Sequence, residues 1–281
     1  MGKSKLAFLL VAIAVVIMAI TGCGNNDENV SAPATGDNIL RLVTNDEQNT
    51  CDVQKTTEYY TVPLNIYERL VETQTNIDGT SELVPGLAER WDISDDGLVY
   101  TFYLKKGVKF HNGEEFKADD VLYTFERMLK PETNALNQDF ITAVKGSIDM
   151  MDGKADELVG LEVIDDYTVK MTLESPFAPF LANLATPGVS IYNRKFTEEA
   201  GDQFGLLPEK TCGTGPFKLS KWELNSETQV DAFDGYWKGR AKLDGVNWKT
   251  VKDADTQRMM FENGELDEFD CDEAPSQISY F

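Results

Sequence analysis

The sequence contains few of the residues that build metal centres and hydrolytic sites. It has one histidine, His111, and four cysteines, with no Cys-x-x-Cys pair among them. A structural zinc site needs closely spaced cysteines or histidines. A catalytic triad would have to use His111, which lies beside a predicted turn with no serine elbow to support it. These shortages predict a protein that is not an enzyme and that binds no metal or other cofactor.

Positive charge is scarce as well. Lysine and arginine together number 26, against 48 aspartates and glutamates, and the formal net charge is −22. Nucleic acids and anionic lipid surfaces attract basic patches, so this balance argues against both as binding partners. The acidic residues are scattered along the chain, and we interpret them as a solvated surface.

One long apolar run is present, from Leu6 to Ile20, and it follows the basic residues Lys3 and Lys5. As a helix it would reach about 22 Å, which is short of the ~30 Å hydrocarbon core of a bilayer. A basic start followed by a short apolar centre is typical of an export signal. The alternative is an uncleaved single-span anchor. Both interpretations place the rest of the chain outside the cytoplasmic membrane.

The end of this run, Ile20-Thr21-Gly22-Cys23, resembles the bacterial lipobox, in which the cysteine receives a diacylglycerol and becomes the mature N-terminus. The resemblance implies a signal peptide over residues 1–22 and a lipid anchor at Cys23. The protein would then lie on the outer face of the cytoplasmic membrane, or in the periplasm or extracellular space. Residues 23–37 are rich in Asn, Ser, Pro and Gly and have no apolar periodicity, which predicts a flexible tether.

Three cysteines remain once Cys23 is set aside: Cys51, Cys212 and Cys271. In an oxidising compartment two of them can form a disulfide and leave the third over. Their spacing does not say which two would pair.

The periodicity of the first half predicts strands and hairpins with two helices. Residues 38–44 read as a strand, and residues 62–71 have apolar side chains at helical spacing. The dipeptides Asp96-Gly97 and Asn112-Gly113 predict hairpin turns. A helix follows Asp119 or Asp120, either of which can cap it, and Pro131 ends it. Its apolar face carries Val121, Leu122, Phe125, Met128 and Leu129.

The second half continues this mixed pattern. A hairpin is predicted around Asp165-Asp166, and two antiparallel strands are predicted in GPFKLSKW and ETQVDAF. GVNWKTV is predicted to form a buried strand. The helix predicted after it ends at Gly264, and ELDEFD is predicted to begin another strand. The sequence therefore predicts an α/β or mixed fold with a β-rich insertion between residues 75 and 185.

Several separated motifs together resemble one known family. Residues 83–129, from LVPGLAERW to YTFERML, are similar to the signature region of the extracellular solute-binding proteins of family 5. These proteins are the oligopeptide, dipeptide and nickel receptors of ABC importers. Further landmarks follow the same order: IYERLVE (66–72), VIDDYTVKMTLESP (163–176), GTGPFKL (213–219), DGYWKG (234–239) and ENGELD (262–267).

The resemblance implies a two-lobed architecture similar to that of the periplasmic binding proteins. Lobe I would comprise residues 38–62 and 186–271, with residues 63–185 as its inserted subdomain. Residues 272–281 would cross into a lobe II that is missing from this chain. Such a protein, expected to act as a monomer, captures a short peptide as its lobes close and delivers it to membrane permeases served by cytoplasmic ATPases.

The resemblance also suggests where ligand contacts arise in this chain. The segment TTEYYT (56–61) follows the first strand, and within it Thr57, Glu58, Tyr59 and Tyr60 are candidate ligand-binding residues. Asp270 is a further candidate near the expected crossing. The competing interpretation is ordinary packing for the tyrosines and a solvated surface for the two acidic residues.

The sequence does not decide the identity of the ligand or whether the protein serves an importer or a signalling receptor. A nickel ion, a metal chelate or another solute is an alternative to a peptide, because half of the expected cleft is absent. A peptide-sensing signalling lipoprotein on the same fold is an alternative to an importer. Neighbouring genes for permeases and ATPases would separate these two roles.

Overall fold

The computed structural model describes residues 38–45 and 48–269. The predicted signal peptide, the whole predicted tether with Cys23, and the predicted crossing segment lie outside the described residues, as do Asp270 and Cys271. Within the described ranges, no helix has the length and apolar character that crossing a membrane requires.

Ten strands and six α-helices form the described part of the chain. The strands are β1 (Ile39–Thr44), β2 (Val71–Thr75), β3 (Ser81–Pro85), β4 (Ala88–Ile93), β5 (Val99–Leu104), β6 (Leu161–Asp165), β7 (Thr168–Thr172), β8 (Phe217–Glu223), β9 (Glu227–Ala232) and β10 (Gly245–Thr250). The helices are α1 (Pro63–Ile66), α2 (Ala118–Leu129), α3 (Ser147–Met151), α4 (Phe180–Asn183), α5 (Arg194–Ala200) and α6 (Ala254–Glu262).

The first sheet has the order β1-β10-β9-β8. Strands β1 and β10 are parallel, whereas β9 is antiparallel to both β10 and β8. The predicted antiparallel strands β8 and β9 are therefore confirmed, and the sheet is mixed.

The strand predicted in ELDEFD is wrong, because no strand is assigned among its described residues. There Asp267 instead pairs with Arg41 of β1, through its backbone N–H to the Arg41 carbonyl (2.8 Å) and through an ion pair (2.6 Å).

The second large sheet, β4-β5-β7-β6, is antiparallel throughout, and β2 pairs with β3 in a separate hairpin. The predicted turns at Asp96-Gly97 and Asp165-Asp166 connect its hairpins. Helix α2 packs on this sheet with Val121, Phe125, Met128 and Leu129 buried, as its periodicity predicts. The helix cap differs in detail. Asp120 lies in the first turn, and its carboxylate accepts the backbone N–H of Lys117 at 2.9 Å.

Buried apolar side chains form two clusters, one on each large sheet. Cys212 belongs to the cluster of the second sheet and Cys51 to that of the first, and both thiols are free. Burial raises the pKa of the Cys51 thiol to about 12 and that of Cys212 to about 11. These two cysteines therefore do not pair with each other, and both are held as unreactive thiols.

The helix predicted over residues 62–71 is wrong beyond Ile66. Only one turn forms, Tyr67 is extended, and Leu64 is 45% exposed. The backbone carbonyls that would continue the helix bind other segments instead. The Glu68 carbonyl accepts from Ile191 (3.0 Å) and the Arg69 carbonyl from Leu87 (2.8 Å). Tertiary hydrogen bonds thus override the local helical pattern.

His111 lies beside the Asn112-Gly113 turn, as predicted, and its half-buried ring packs against the segment around residues 213–215. Its Nε2 donates to the Gly215 carbonyl at 3.0 Å, and its Nδ1 accepts the Gly213 N–H at 3.3 Å. Gly213 is required there, since a Cβ would come 2.1 Å from the Ile66 carbonyl oxygen. Burial, assisted by the charge of Lys218, lowers the pKa of His111 to about 4.

This burial predicts a pH dependence of stability. Below its ordinary pKa of 6.5, His111 takes up a proton in the unfolded chain but not in the folded one. Its contribution to the free energy of unfolding should therefore fall by roughly 3 kcal/mol between pH 6.5 and pH 4. Asp120 works in the opposite direction over a similar range, because burial raises its pKa to about 6. The difference between wild type and a His111→Gln variant isolates the histidine.

Urea unfolding of the two proteins at several pH values between 7 and 4 measures this difference. We expect the stability advantage of wild type over His111→Gln to shrink as the pH falls. A difference that stays constant over this range would show that the imidazole is not held neutral by burial. An Asp120→Asn background provides the control, because it removes the opposing titration and leaves the histidine contribution in place.

Candidate functional site

An open pocket lies at one edge of the first sheet, where β1, β10 and β8 end and β9 begins. The carboxyl ends of parallel strands are where open α/β sheets bind their ligands. The pocket is lined by Thr44, Gln48, Tyr59, Thr61, Val62, Trp222, Glu223, Asn225, Thr228, Trp248 and Thr250. Four strands and the segment before α1 therefore contribute to one site.

The walls of the pocket are set by a row of side chains across the sheet. Leu42 lies opposite Trp248, Trp248 opposite Thr228, and Thr228 opposite Trp222. Adjacent strands lie about 4.8 Å apart, so the backbones that carry the two tryptophans lie about 10 Å apart, with the smaller threonine between them. This arrangement makes a trough with aromatic sides.

The same face of the sheet carries the hydrophobic core in the next row of side chains. The two rows are two residues apart on β1, β10 and β9 and three apart on β8, where a bulge lies between them. There Leu40, Val246, Val230 and Leu219 form the corresponding row across the four strands. Side chains two positions apart on a strand share a face. The pocket is thus the open end of the layer that forms the first sheet's hydrophobic cluster.

A bulge in β8 decides which side chain reaches the pocket. The register of β8 against β9 shifts between Leu219 and Lys221, and this shift places Trp222 opposite Thr228. Without the extra residue Lys221 would occupy that position. Lys221 instead forms ion pairs with Glu223 (3.1 Å) and Glu227. A bulge next to a binding site commonly redirects a side chain in this way.

The rim of the pocket contains backbone strain. Three non-glycine residues of the described chain have a positive φ, and two of them, Tyr59 (58°) and Asn225 (57°), line this pocket. The left-handed region is costly for a bulky aromatic residue and is found mostly where function requires it. The strain therefore singles out this edge of the sheet.

The predicted ligand-binding residues occupy different places around the pocket. Tyr59 lines it and is 37% exposed. Thr57 and Glu58 are exposed but lie outside the lining. Tyr60 is half-buried, its hydroxyl donates to the Thr56 carbonyl at 2.8 Å, and burial raises its pKa. Asp270 lies outside the described residues.

Sequence reasoning missed the two tryptophans that form the walls. Both lie near the end of a predicted strand, in KLSKWE and GVNWKT, and this position was the only available signal. That they share one row with Thr228 follows from the strand pairing, which the sequence does not display.

The chemistry of the pocket favours a largely uncharged ligand group. Among the described lining residues Glu223 is the one charged side chain, and its carboxylate is paired with Lys221 at 3.1 Å. Threonine hydroxyls and side-chain amides surround the aromatic walls. Such a pocket can hold an apolar group while hydrogen-bonding its polar neighbours. Within residues 38–45 and 48–269, no group of three or more His, Cys, Asp or Glu residues is placed to hold a metal ion.

A buried ion pair holds the segment that leads to the pocket. The Asp52 carboxylate accepts from Arg127 of α2 at 2.6 Å and from the Tyr192 hydroxyl at 3.0 Å. Asp52 is 1% exposed. A buried carboxylate of this kind is stable only with its partners in place, so the pair ties the segment firmly to α2.

Comparison with known proteins identifies the family that this chain resembles. The profile described as "Bacterial extracellular solute-binding proteins, family 5 Middle" matches residues 82–279. The chain is 37% identical over 222 residues to the dipeptide-binding protein of Escherichia coli (strain K12), covering 74% of this chain and 39% of that protein. It is also 37% identical over 222 residues to heme-binding protein A of Haemophilus influenzae, covering 75% and 39%.

A solved structure extends the comparison to the fold. The chain matches Listeria monocytogenes OppA bound to peptide with a TM-score of 0.75 and 28% identity, covering 83% of this chain and 46% of that one. The α/β fold of this chain is thus that of one part of a larger binding protein. The chain spans less than half the length of each of these three proteins.

The strain at Tyr59 predicts an unusual response to substitution. In a Tyr59→Gly variant, relief of the left-handed conformation should offset lost contacts, so the free energy of unfolding should change by less than about 1 kcal/mol. Tyr60→Gly, which loses a half-buried ring and a hydrogen bond, should cost roughly 2–3 kcal/mol. Urea unfolding measures both. Equal losses in the two variants would mean that Tyr59 is not strained.

Proposed function

This chain belongs to the bacterial extracellular solute-binding proteins of family 5, and we propose that it forms the first lobe of a receptor for short peptides. In this proposal a second lobe closes over the pocket, and the closed form delivers the peptide to the permeases of an ABC importer. The family consists of solute-binding proteins, and no catalytic role is proposed for this chain.

The observation that carries the proposal is the aromatic trough at the carboxyl edge of the first sheet. Trp222, which is half-buried, and Tyr59, which is 37% exposed, offer aromatic surface for a side chain, whereas Trp248 lines the pocket as a buried member of the core. Thr61 and Thr250 offer hydroxyls to a peptide backbone. Peptides present alternating apolar and hydrogen-bonding groups of this kind. The names of the dipeptide-binding relative and the peptide-bound structure point to the same ligand class.

The proposed division of the chain places this pocket in lobe I, made by residues 38–62 and 186–271. Residues 63–185 form the inserted subdomain, and residues 272–281 lead into lobe II. The two hydrophobic clusters, one on each large sheet, support a division of this kind. A single lobe supplies one wall of the cleft, so firm binding depends on the lobe that follows.

We place the receptor outside the cytoplasmic membrane, as a monomer held by a lipid on Cys23. The membership in an extracellular family and the lipobox-like Ile20-Thr21-Gly22-Cys23 support this location. The tether of residues 23–37 would let the lobes move in solvent while they stay near a membrane partner.

A second ligand class has one specific observation in its favour. The heme-binding relative is as similar to this chain as the dipeptide-binding one, at 37% identity over 222 residues each. A flat macrocycle could stack on the half-buried Trp222. Nickel chelates and signalling peptides are further alternatives. A ligand panel tests the nickel chelate, and neighbouring genes for permeases and ATPases separate signalling from import.

The proposal predicts which ligand the full-length protein binds. Calorimetry with a panel of di- to pentapeptides, heme and a nickel chelate should show binding to peptides, and residues 24–281 alone should bind them poorly because the opposing wall is absent. A protein that responds only to heme or to the chelate would overturn the peptide assignment. Micromolar peptide binding by residues 24–281 would count against the two-lobed site.

A matched pair of substitutions tests whether the ligand binds in the trough. Trp222→Ala should weaken peptide binding by about tenfold, because an aromatic contact at the centre of a site is lost. Trp91→Ala removes another partly buried indole, one that packs on Phe102 of the second sheet, and should leave affinity unchanged. If both variants bind as wild type does, the peptide lies elsewhere.

The lipid anchor has a direct test. In a bacterial host fed a labelled fatty acid, wild type should incorporate the label and fractionate with membranes, whereas Cys23→Ala should do neither. Cys51→Ala, which alters a buried thiol, is the control and should be labelled like wild type. Persistent labelling of Cys23→Ala would place the lipid at another residue.

A further inference from the structure

We propose that Asn137, which lies between α2 and α3, is a positioning residue for the pocket. It holds residues 53–60 in the conformation that presents Tyr59 to the trough. The statement about ligand affinity rests on the proposed function, whereas the statement about the segment's conformation does not. Asn137 does not line the pocket and would act on the ligand only through this segment.

The contacts of the Asn137 side chain all point to one segment. Its amide nitrogen donates to the carbonyls of Val53 (2.7 Å) and Thr56 (2.8 Å) and lies 3.3 Å from the Tyr60 hydroxyl. The neighbouring backbone N–H of Leu136 donates to the Gln54 carbonyl at 2.7 Å. Asn137 is 3% exposed, so water does not replace these bonds.

The site around Asn137 is shaped for this side chain. A Cβ on Gly188 would come 2.7 Å from the Cγ and Nδ2 of Asn137, so a glycine leaves the room that the amide occupies. An asparagine carries two N–H donors, and the segment presents carbonyl acceptors. A carboxylate of the same shape would set oxygen against oxygen at both carbonyls. This position therefore requires a side chain that donates hydrogen bonds as well as one that fits the space.

The bonds from Asn137 bracket the strained residue. Within the segment, the Tyr60 hydroxyl donates to the Thr56 carbonyl (2.8 Å), and the Thr56 hydroxyl donates to the Glu58 carbonyl (2.8 Å). Tyr59, with its φ of 58°, lies between Thr56 and Tyr60, both of which Asn137 contacts. A strained conformation persists only where its surroundings over-determine it. Asn137 supplies that restraint from the proposed inserted subdomain.

The restraint would also strengthen the binding of the ligand. A rim residue that is already held in its binding conformation loses little freedom when a ligand arrives. Releasing residues 53–60 would let Tyr59 leave the left-handed region, and each binding event would then have to restore it. The proposed inserted subdomain thus acts on the ligand without touching it.

Two measurements on Asn137→Asp test the proposal. Hydrogen–deuterium exchange of residues 24–281 measures how well the backbone of the segment is protected. Calorimetry of the full-length protein with a bound peptide measures ligand affinity. We expect faster exchange in the peptides that cover residues 53–62 and a Kd raised by about tenfold or more. Asn183→Asp is the matched control. It removes a comparable bond, from a half-buried amide to the Phe140 carbonyl at 3.0 Å, away from the segment. This control should lose stability but leave both readouts unchanged.

Each outcome decides a different statement. Unchanged exchange over residues 53–62 would overturn the positioning role, and faster exchange with unchanged Kd would overturn its link to the ligand. Equal effects of Asn183→Asp on both readouts would reduce Asn137 to general stability. If the wild-type protein binds no peptide, the proposed function is overturned, but the exchange result still tests the positioning role. If the aspartate variant does not fold, Asn137→Ser, which is uncharged and shorter, replaces it in both measurements.

Discussion

The ion pair between Asp52 and Arg127 is the constraint on which the other features depend. Asp52 precedes the pocket segment, and Arg127 belongs to helix α2, which packs on the second sheet. The guanidinium also lies over the rings of Tyr192 and Phe204, at 5.6 and 5.5 Å. A buried carboxylate without this partner would be strongly destabilising. The pair therefore requires the two hydrophobic clusters to meet at one place, directly behind the residues that lead to Tyr59.

A layered construction of the site follows from this anchor. The sheet β1-β10-β9-β8 supplies the tryptophan walls, the segment of residues 53–61 supplies the rim, and Asn137 holds that rim from behind. Each layer comes from a distant part of the chain. The glycines at 188 and 213 serve the same end, because each lets one segment approach another more closely than a side chain would allow. In the proposed receptor, these layers would form one half of the binding cleft.

Local signals were enough for much of the fold. The hairpins at Asp96-Gly97 and Asp165-Asp166 and the buried face of α2 were predictable, because turn residues and periodicity act over a few positions. The helix over residues 62–71 was not, since carbonyls of Glu68 and Arg69 bind distant N–H groups. Of the site, the segment containing Tyr59 was suggested by resemblance. Trp222 had only its position near the end of a predicted strand as a signal, and Asn137 had none.

The sequence by itself determined the class of fold, the acidic character of the protein and the family resemblance, because composition, motif order and periodicity are properties of the linear chain. Only the tertiary structure decided which side chains meet. The β8 bulge turns Trp222 toward Thr228, and a buried amide restrains a loop more than seventy residues earlier in the chain. Both depend on register and on contacts between remote segments, and neither leaves a mark in neighbouring residues.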